Sequence, residues 1–333
     1  MADPNIGVTA VSYQFLPWVR RGLTVALSEV DTLGAGLPSR AVAQVGVKLA
    51  APLDATPIEP LAVRLHGPGD VIGIDTRLVV RTDPRPDAQN FEPNYLAIVD
   101  FDPPDFPWML TPARANADDR LRPWLVLVVL EVAKTGLPRL QPQALLPSVR
   151  IPAAAVASEL PDLAESWSWA HAQLISKAAD GAGLQADLQG QPASNVSRLV
   201  CPRRLKPSTA YVACVVPAFE PGRLRGLGLA DDAAPAMQQL APAWNPQAAG
   251  DVVLPVYYHW QFSTSVAGDF ESLARRLKTP SRYKNDPAMM ARLEAVGTAP
   301  LGVDELLGAS DPPRLETMEG ALVPVKYTPG ASG

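Results

Sequence analysis

The stretch whose reading decides the fold runs from Phe91 to Glu131, FEPNYLAIVDFDPPDFPWMLTPARANADDRLRPWLVLVVLE. Two strand-like apolar runs, Tyr95–Phe101 and Trp124–Leu130, flank a linker dense in Pro, Asp and Trp. The second run is apolar at every position, and a strand without a polar face belongs at the centre of a sheet covered on both sides. It is expected to be a buried central strand, with Asp102–Pro112 as a stiff loop between the two runs.

Working outward, the N-terminal side reads as a β-meander. Gly7–Phe15, Leu23–Val30, Ala41–Leu49, Leu61–Leu65 and Arg77–Arg81 carry β-like patterns separated by Gly- and Pro-rich turns. On the C-terminal side Pro152–Ala164 has helical composition with Pro152 suited to a first turn. Trp167–Ser176, Ser197–Cys201, Tyr211–Val216 and the long run Val252–Phe262 read as strands, and Gly222–Gly228 as a glycine-punctuated turn. Gly268–Leu277 and Asp286–Val296 have helical spacing, and a last strand is expected around Leu322–Val325.

The fold class that follows is mainly β with several short helices, a β-rich α+β protein whose many short strands are joined by proline-rich loops. Residues 1–180 are expected to form an N-terminal β-rich region with the central strands. Residues 181–333 would form a C-terminal β-rich region with short helices. One continuous body with a softer junction at Gly181–Pro192 is the alternative.

Composition bounds the function. With 333 residues, 47% hydrophobic and 19% charged, the chain has the material for a real core and lies outside the disordered class. A net charge of −5 without clustered Lys and Arg argues against a general nucleic-acid or anionic-membrane surface. The 36 prolines are about twice the usual share of roughly 5% and are spread along the chain, which predicts short elements joined by rigid loops. Cys201 and Cys214 read as buried free thiols, with a bridge open to them if their strands pair. The N-terminus lacks a secretory pattern and no apolar run is long enough for a membrane span, so cytoplasmic synthesis is expected.

No motif brings a reaction with it. His66, His171 and His259 lack the local spacing of a metal site and read as structural. Asp100, Asp102 and Asp105 could serve acid–base chemistry, but Asp beside Pro is also the ordinary way to write a turn. Gly67-Pro68-Gly69-Asp70 and Gly226-Leu227-Gly228 match no nucleotide fingerprint and read as turns. No cofactor or metal is expected. The candidates for an interface are Phe106 and Trp108 in the linker, Arg203 and Arg204 in a basic corner, and Tyr258 and Trp260 in an aromatic run.

Four phrases carry a resemblance: FDPPDFPWMLTP with RPWLVLVVLE, ESWSWAHAQL at Glu165–Leu174, SRLVCPRRLKPSTAYVACVVPAFEPGRLRGLG at Ser197–Gly228, and VYYHWQFSTSVAGDFESLARRL at Val256–Leu277. In this order the chain resembles a poorly characterised family associated with extracellular contractile injection systems, the phage-tail-like particles. The resemblance covers most of Gly67–Leu277 and implies a structural subunit at the baseplate or another end of the tube and sheath. No catalytic residues come with it. It implies other particle subunits as partners, with homo-oligomerisation open, and cytoplasmic assembly followed by release in an extracellular particle. The rival expectations are a carbohydrate-binding or surface-attachment module that stacks sugars on Trp108, and a hydrolase using Asp102 or Asp105 with a distant histidine.

Overall fold

A computed structural model describes residues 12–32, 36–46, 48–50, 55–57, 60–142, 144–176, 178, 180–190, 195–247, 249–266, 287, 298–302 and 315–319. The strands are, in chain order, β1 (Tyr13–Leu16), β2 (Val42–Val45), β3 (Lys48–Ala50), β4 (Ala55–Pro57), β5 (Leu61–Arg64), β6 (Val79–Asp83), β7 (Ala88–Phe91), β8 (Ile98–Phe101) and β9 (Leu125–Glu131). They continue as β10 (Arg139–Leu140), β11 (Pro147–Ile151), β12 (Ala170–Ile175), β13 (Val196–Val200), β14 (Ala210–Pro217), β15 (Val252–Pro255), β16 (Tyr258–Thr264), β17 (Thr298–Gly302) and β18 (Leu315–Glu319). The helices α1 (Val132–Thr135), α2 (Ala153–Glu159), α3 (Gly181–Gly190), α4 (Glu220–Gly226) and α5 (Pro235–Gln238) are short. The protein is β-rich, as the sequence predicts.

The chain divides into two compact units, Met1–Ala267 and Gly268–Gly333. In the second, β17 and β18 form an antiparallel pair from Thr298↔Glu319 to Gly302↔Leu315. The helices expected at Gly268–Leu277 and Asp286–Val296 lie outside the described residues but for Pro287, and the strand expected at Leu322–Val325 lies wholly outside them. The expected junction at Gly181–Pro192 falls within the first unit. There β12 and β13, on either side of it, pair directly, and Gly181–Gly190 is the helix α3 rather than a loop.

Three sheets build most of the first unit. A five-stranded antiparallel sheet has the order β1-β12-β13-β8-β6, a four-stranded sheet β7-β16-β14-β9, and a three-stranded sheet β10-β11-β15. Alternation decides which side each strand buries. In β12 and β13 the residues Ala172, Leu174, Ser197 and Leu199 turn inward while their neighbours stay half-exposed. These inward side chains share one continuous core with the four-stranded sheet. Each Leu or Val buried there contributes about 1.5–3 kcal/mol.

The all-apolar run is buried throughout, with Leu125–Leu130 at 0–1% exposure. Its place in the sheet differs from the expectation, however. It is a terminal strand, hydrogen-bonded to β14 alone through seven registered pairs from Tyr211↔Glu131 to Pro217↔Leu125. Its faces are apolar because the five-stranded sheet, through β13, and the helix α2 pack on it. An apolar run reports two covered faces, which does not require two hydrogen-bonded neighbours.

The linker before it is folded inward. Phe106–Trp108 form a 3-10 turn, and Trp108 is fully buried with Nε1 donating to the Leu121 carbonyl at 3.2 Å. Trp124 Nε1 donates to the Phe106 carbonyl at 2.8 Å, and Thr111 Oγ1 to that of Arg122 at 2.8 Å. Arg20 then reaches across from the N-terminal segment and donates to the carbonyls of Trp108 at 2.6 Å, Thr111 at 2.7 Å and Ala113. Close by, Arg122 grips both oxygens of the buried Asp31, Nη2 donating to Oδ1 at 2.6 Å and Nε to Oδ2 at 3.2 Å. Such pinning by buried, charge-assisted bonds is what the stiff-loop expectation requires.

Three further expectations are corrected. Leu23–Val30 opens with a 3-10 helix at Gly22–Ala26 and forms no regular strand. Gly222–Gly228 is mostly the helix α4, whose glycines serve close approach: a Cβ on Gly226 would come within 2.7 Å of the Pro255 ring. The run Val252–Phe262 breaks at Val256–Tyr257 into β15 and β16, which belong to different sheets.

Candidate interface

The six residues singled out from the sequence do not form one surface. Phe106, Trp108 and Trp260 are buried at 4%, 0% and 3% exposure, so their rings face the chain's own core. Tyr258 is half-buried against Trp260, with ring centroids 5.9 Å apart. Arg204 is exposed. Arg203, its neighbour, is turned inward and ion-paired.

Arg203 belongs to a cluster that closes the outer edge of β9. Its guanidinium donates to the Val129 carbonyl at 2.8 Å and pairs with both oxygens of Glu159, one at 3.0 Å. The Glu159 carboxylate also accepts from the Glu131 backbone N–H at 2.9 Å and from Lys134 Nζ at 2.7 Å. Lys206 Nζ completes the cluster on Glu131 Oε2 at 2.9 Å. Burial alone would push the Glu159 carboxyl up, but Arg203, the Glu131 amide and Lys134 outweigh it and hold the group below its ordinary value. Burial pushes the Cys201 thiol up to about 11. Cys201 and Cys214 are both free and buried.

A different surface stands open on the five-stranded sheet. Residues in direct register across antiparallel strands point to the same face. His171↔Arg198, Arg198↔Asp100 and Asp100↔Arg81 therefore form one row across β12, β13, β8 and β6. The Phe15 ring extends it onto β1, edge-on to His171 at 5.6 Å. Arg198 grips Asp100 bidentately at 2.6 and 3.0 Å, which raises the arginine's affinity for its proton. Burial, with the nearby Arg198 cation, lowers the pKa of His171, so its ring stays neutral at pH 7. The charges on this face are thus mutually satisfied. Arg81 is exposed and pairs with Asp83 at 3.3 Å, and two rings are accessible as well: Tyr13 is 54% and Phe15 61% exposed, on the same face of a terminal strand.

Sequence reasoning did not single out this pair. The signal was present in Tyr13-Gln14-Phe15-Leu16, aromatics at alternate positions, but their partners His171 and Arg198 are more than a hundred residues away and only the fold brings them alongside.

The chemistry weighed from the sequence disperses. Asp105 is buried with Arg20 and Arg21 as its charged neighbours, Arg21 Nη1 lying 3.7 Å away, and burial raises its pKa. Asp102 is exposed. His66 lies 3.8 Å from Asp70, and His259 is registered opposite Cys214. The Gly67–Asp70 turn owes its glycine to packing, since a Cβ on Gly67 would fall 1.9 Å from the Ser39 carbonyl oxygen. A cleft of about 530 Å³ beside β15 is lined by Leu146, Leu227, Leu229 and Val253 together with Arg223 and Asp251. Both charges are committed, Arg223 to Glu220 and the Val253 carbonyl, Asp251 to Arg150 and the Ala153 amide. Among the described residues no group of three or more His, Cys, Asp or Glu side chains is placed to hold a metal, and no helix is long and apolar enough to cross a membrane.

No protein-family model matches this chain, and no curated protein or solved structure matches it.

Proposed function

We propose that this chain is a structural subunit of a contractile, phage-tail-like injection particle, placed at the baseplate or another end of the tube and sheath. It acts through protein–protein contacts and carries out no reaction. Its partners are other subunits of the particle, met during assembly in the cytoplasm and retained when the particle is released.

The observation that carries the reading is the outer face of the five-stranded sheet, where Tyr13 and Phe15 stand exposed beside a row of charges that already satisfy one another. Exposed aromatics on a rigid scaffold are the usual anchors of protein interfaces. The Arg198–Asp100 pair is already formed and mostly buried, so covering it adds little further desolvation. The four resembling phrases supply the kind of assembly. The pinned linker and spread prolines suit a static part.

The test is genetic and biochemical. Purified particles should contain the chain in fixed stoichiometry, and deleting its gene should leave them incomplete. Complete, contractile particles after deletion would end the proposal.

A further inference from the structure

The strand β9 poses a problem that its burial does not solve. Leu125–Leu130 is an uninterrupted apolar run without Pro or charge, the composition that favours self-pairing, and it lies at the end of its sheet. A terminal strand keeps alternate N–H and C=O groups turned away from its neighbour. At Val129 and Glu131 those groups are taken by side chains from elsewhere in the chain. Arg203 bonds the Val129 carbonyl and Glu159 accepts the Glu131 amide.

We infer that Glu159 and Arg203 act together as a plug that keeps β9 from pairing with β9 of a second copy. Three features support a shared role. The two side chains are bound to each other through both carboxylate oxygens, so neither can leave alone without stranding a buried charge. They come from separate elements, Glu159 from the last turn of α2 and Arg203 from the corner after β13. Each bonds both the other and the β9 backbone, so together they hold the helix end and the corner down over the edge. The second copy is the occupant that this geometry guards against, because an apolar strand finds its best complement in its own sequence.

The plug has a counterpart at β15, where Arg223 donates to the Val253 carbonyl while held by Glu220. Charged strand-edge devices of this kind are a known means of preventing edge-to-edge association. This inference is independent of the particle assignment and stands or falls on solution behaviour.

The experiment compares the wild-type chain with the double variant Glu159→Leu/Arg203→Met, which replaces the ion pair by apolar groups of similar size. Near-ultraviolet circular dichroism from the buried tryptophans reports the fold, sedimentation velocity the association, and hydrogen exchange the amide of Glu131. The expected result is a folded variant that self-associates at least tenfold more tightly than wild type. The Glu131 amide should be fast-exchanging at low concentration and protected on association. A folded variant that associates no more than wild type overturns the inference, as does association that leaves that amide unprotected. Should the double variant not fold, Arg203→Lys decides. It keeps a cation for Glu159 but lacks the fork that also reaches Val129, and it should show a smaller rise in association; wild-type behaviour in that variant equally overturns the inference.

Discussion

Two terminal strands of this molecule treat their surroundings in opposite ways. β9 is apolar on both faces and its outer edge at Val129 and Glu131 is closed by Arg203 and Glu159. β1, at the end of the five-stranded sheet, has no Pro, charge or bulge among its four residues and leaves Tyr13 and Phe15 largely exposed. The difference teaches where the protein places stability and where it leaves surface for others. At β9 the outward groups of Val129 and Glu131 are committed to the chain itself, so substitutions there should be felt as unfolding. At β1 two large apolar side chains are left uncovered, and substitutions should be felt as lost contacts with a partner.

The comparison breaks first at its sealed side. Trp124→Ala removes a ring that packs on Phe106 and Tyr257 and whose Nε1 holds the linker, and it should cost about 3–5 kcal/mol by chemical denaturation. Arg203→Met alone should cost a similar ~3–5 kcal/mol, because it leaves Glu159 buried beside Lys134 only. The double variant with Glu159→Leu should recover much of that loss. A single variant as stable as wild type would mean that Arg203 is not part of the seal.

The sealed edge should also be acid-sensitive. Glu159 and Glu131 are both held below their ordinary carboxyl value of 4.5, so their contribution is present above that pH and is lost as the pH falls through their folded values. Thermal unfolding of the wild type should therefore weaken below about pH 4.5, and the Glu159→Leu/Arg203→Met variant should weaken less.

Asp105 carries the opposite sign. Burial raises its pKa, so the charged form is disfavoured in the fold and its ionisation, as pH rises above 3.8, costs stability. One of its carboxylate oxygens has no hydrogen-bond partner within the protein. Asp105→Asn should accordingly be neutral or stabilising at pH 7, by up to about 1 kcal/mol, with the difference vanishing in acid. A marked loss of stability would show that the Arg20 and Arg21 cations depend on this carboxylate more than its burial suggests.

These sites differ in how far the sequence announced them. The composition of Leu125–Leu130 revealed a strand with two covered faces; the strands expected at Ser197–Cys201 and Tyr211–Val216 match β13 and β14 to within a residue, while the one expected from Trp167 begins three residues later, after a 3-10 helix. The neighbours of β9 were not legible, because hydrogen-bonded register depends on segments such as Glu159 and Arg203 that meet it only in the folded chain. Trp108 read as a surface ring because it sits among prolines in a linker. The Leu121 carbonyl, supplied by the fold, satisfies its indole N–H and lets the ring go inside. Glycines misled in the same way: Gly222 and Gly226 suggested a turn, whereas in α4 they admit Pro217 and Pro255 against the helix. The candidate interface was the least legible feature, since a sheet face is assembled from strands far apart in sequence.

The smallest effect on stability is expected at the open side, and there the central claim is most directly tested. Tyr13→Ser/Phe15→Ser removes two exposed rings and should change unfolding free energy by only about 0.5 kcal/mol per site. The decisive measurement is incorporation of this variant into particles, in cells lacking the wild-type chain, scored by its stoichiometry after particle purification. A folded protein of near wild-type stability that is lost from the particles is expected. Incorporation at the wild-type level would contradict it.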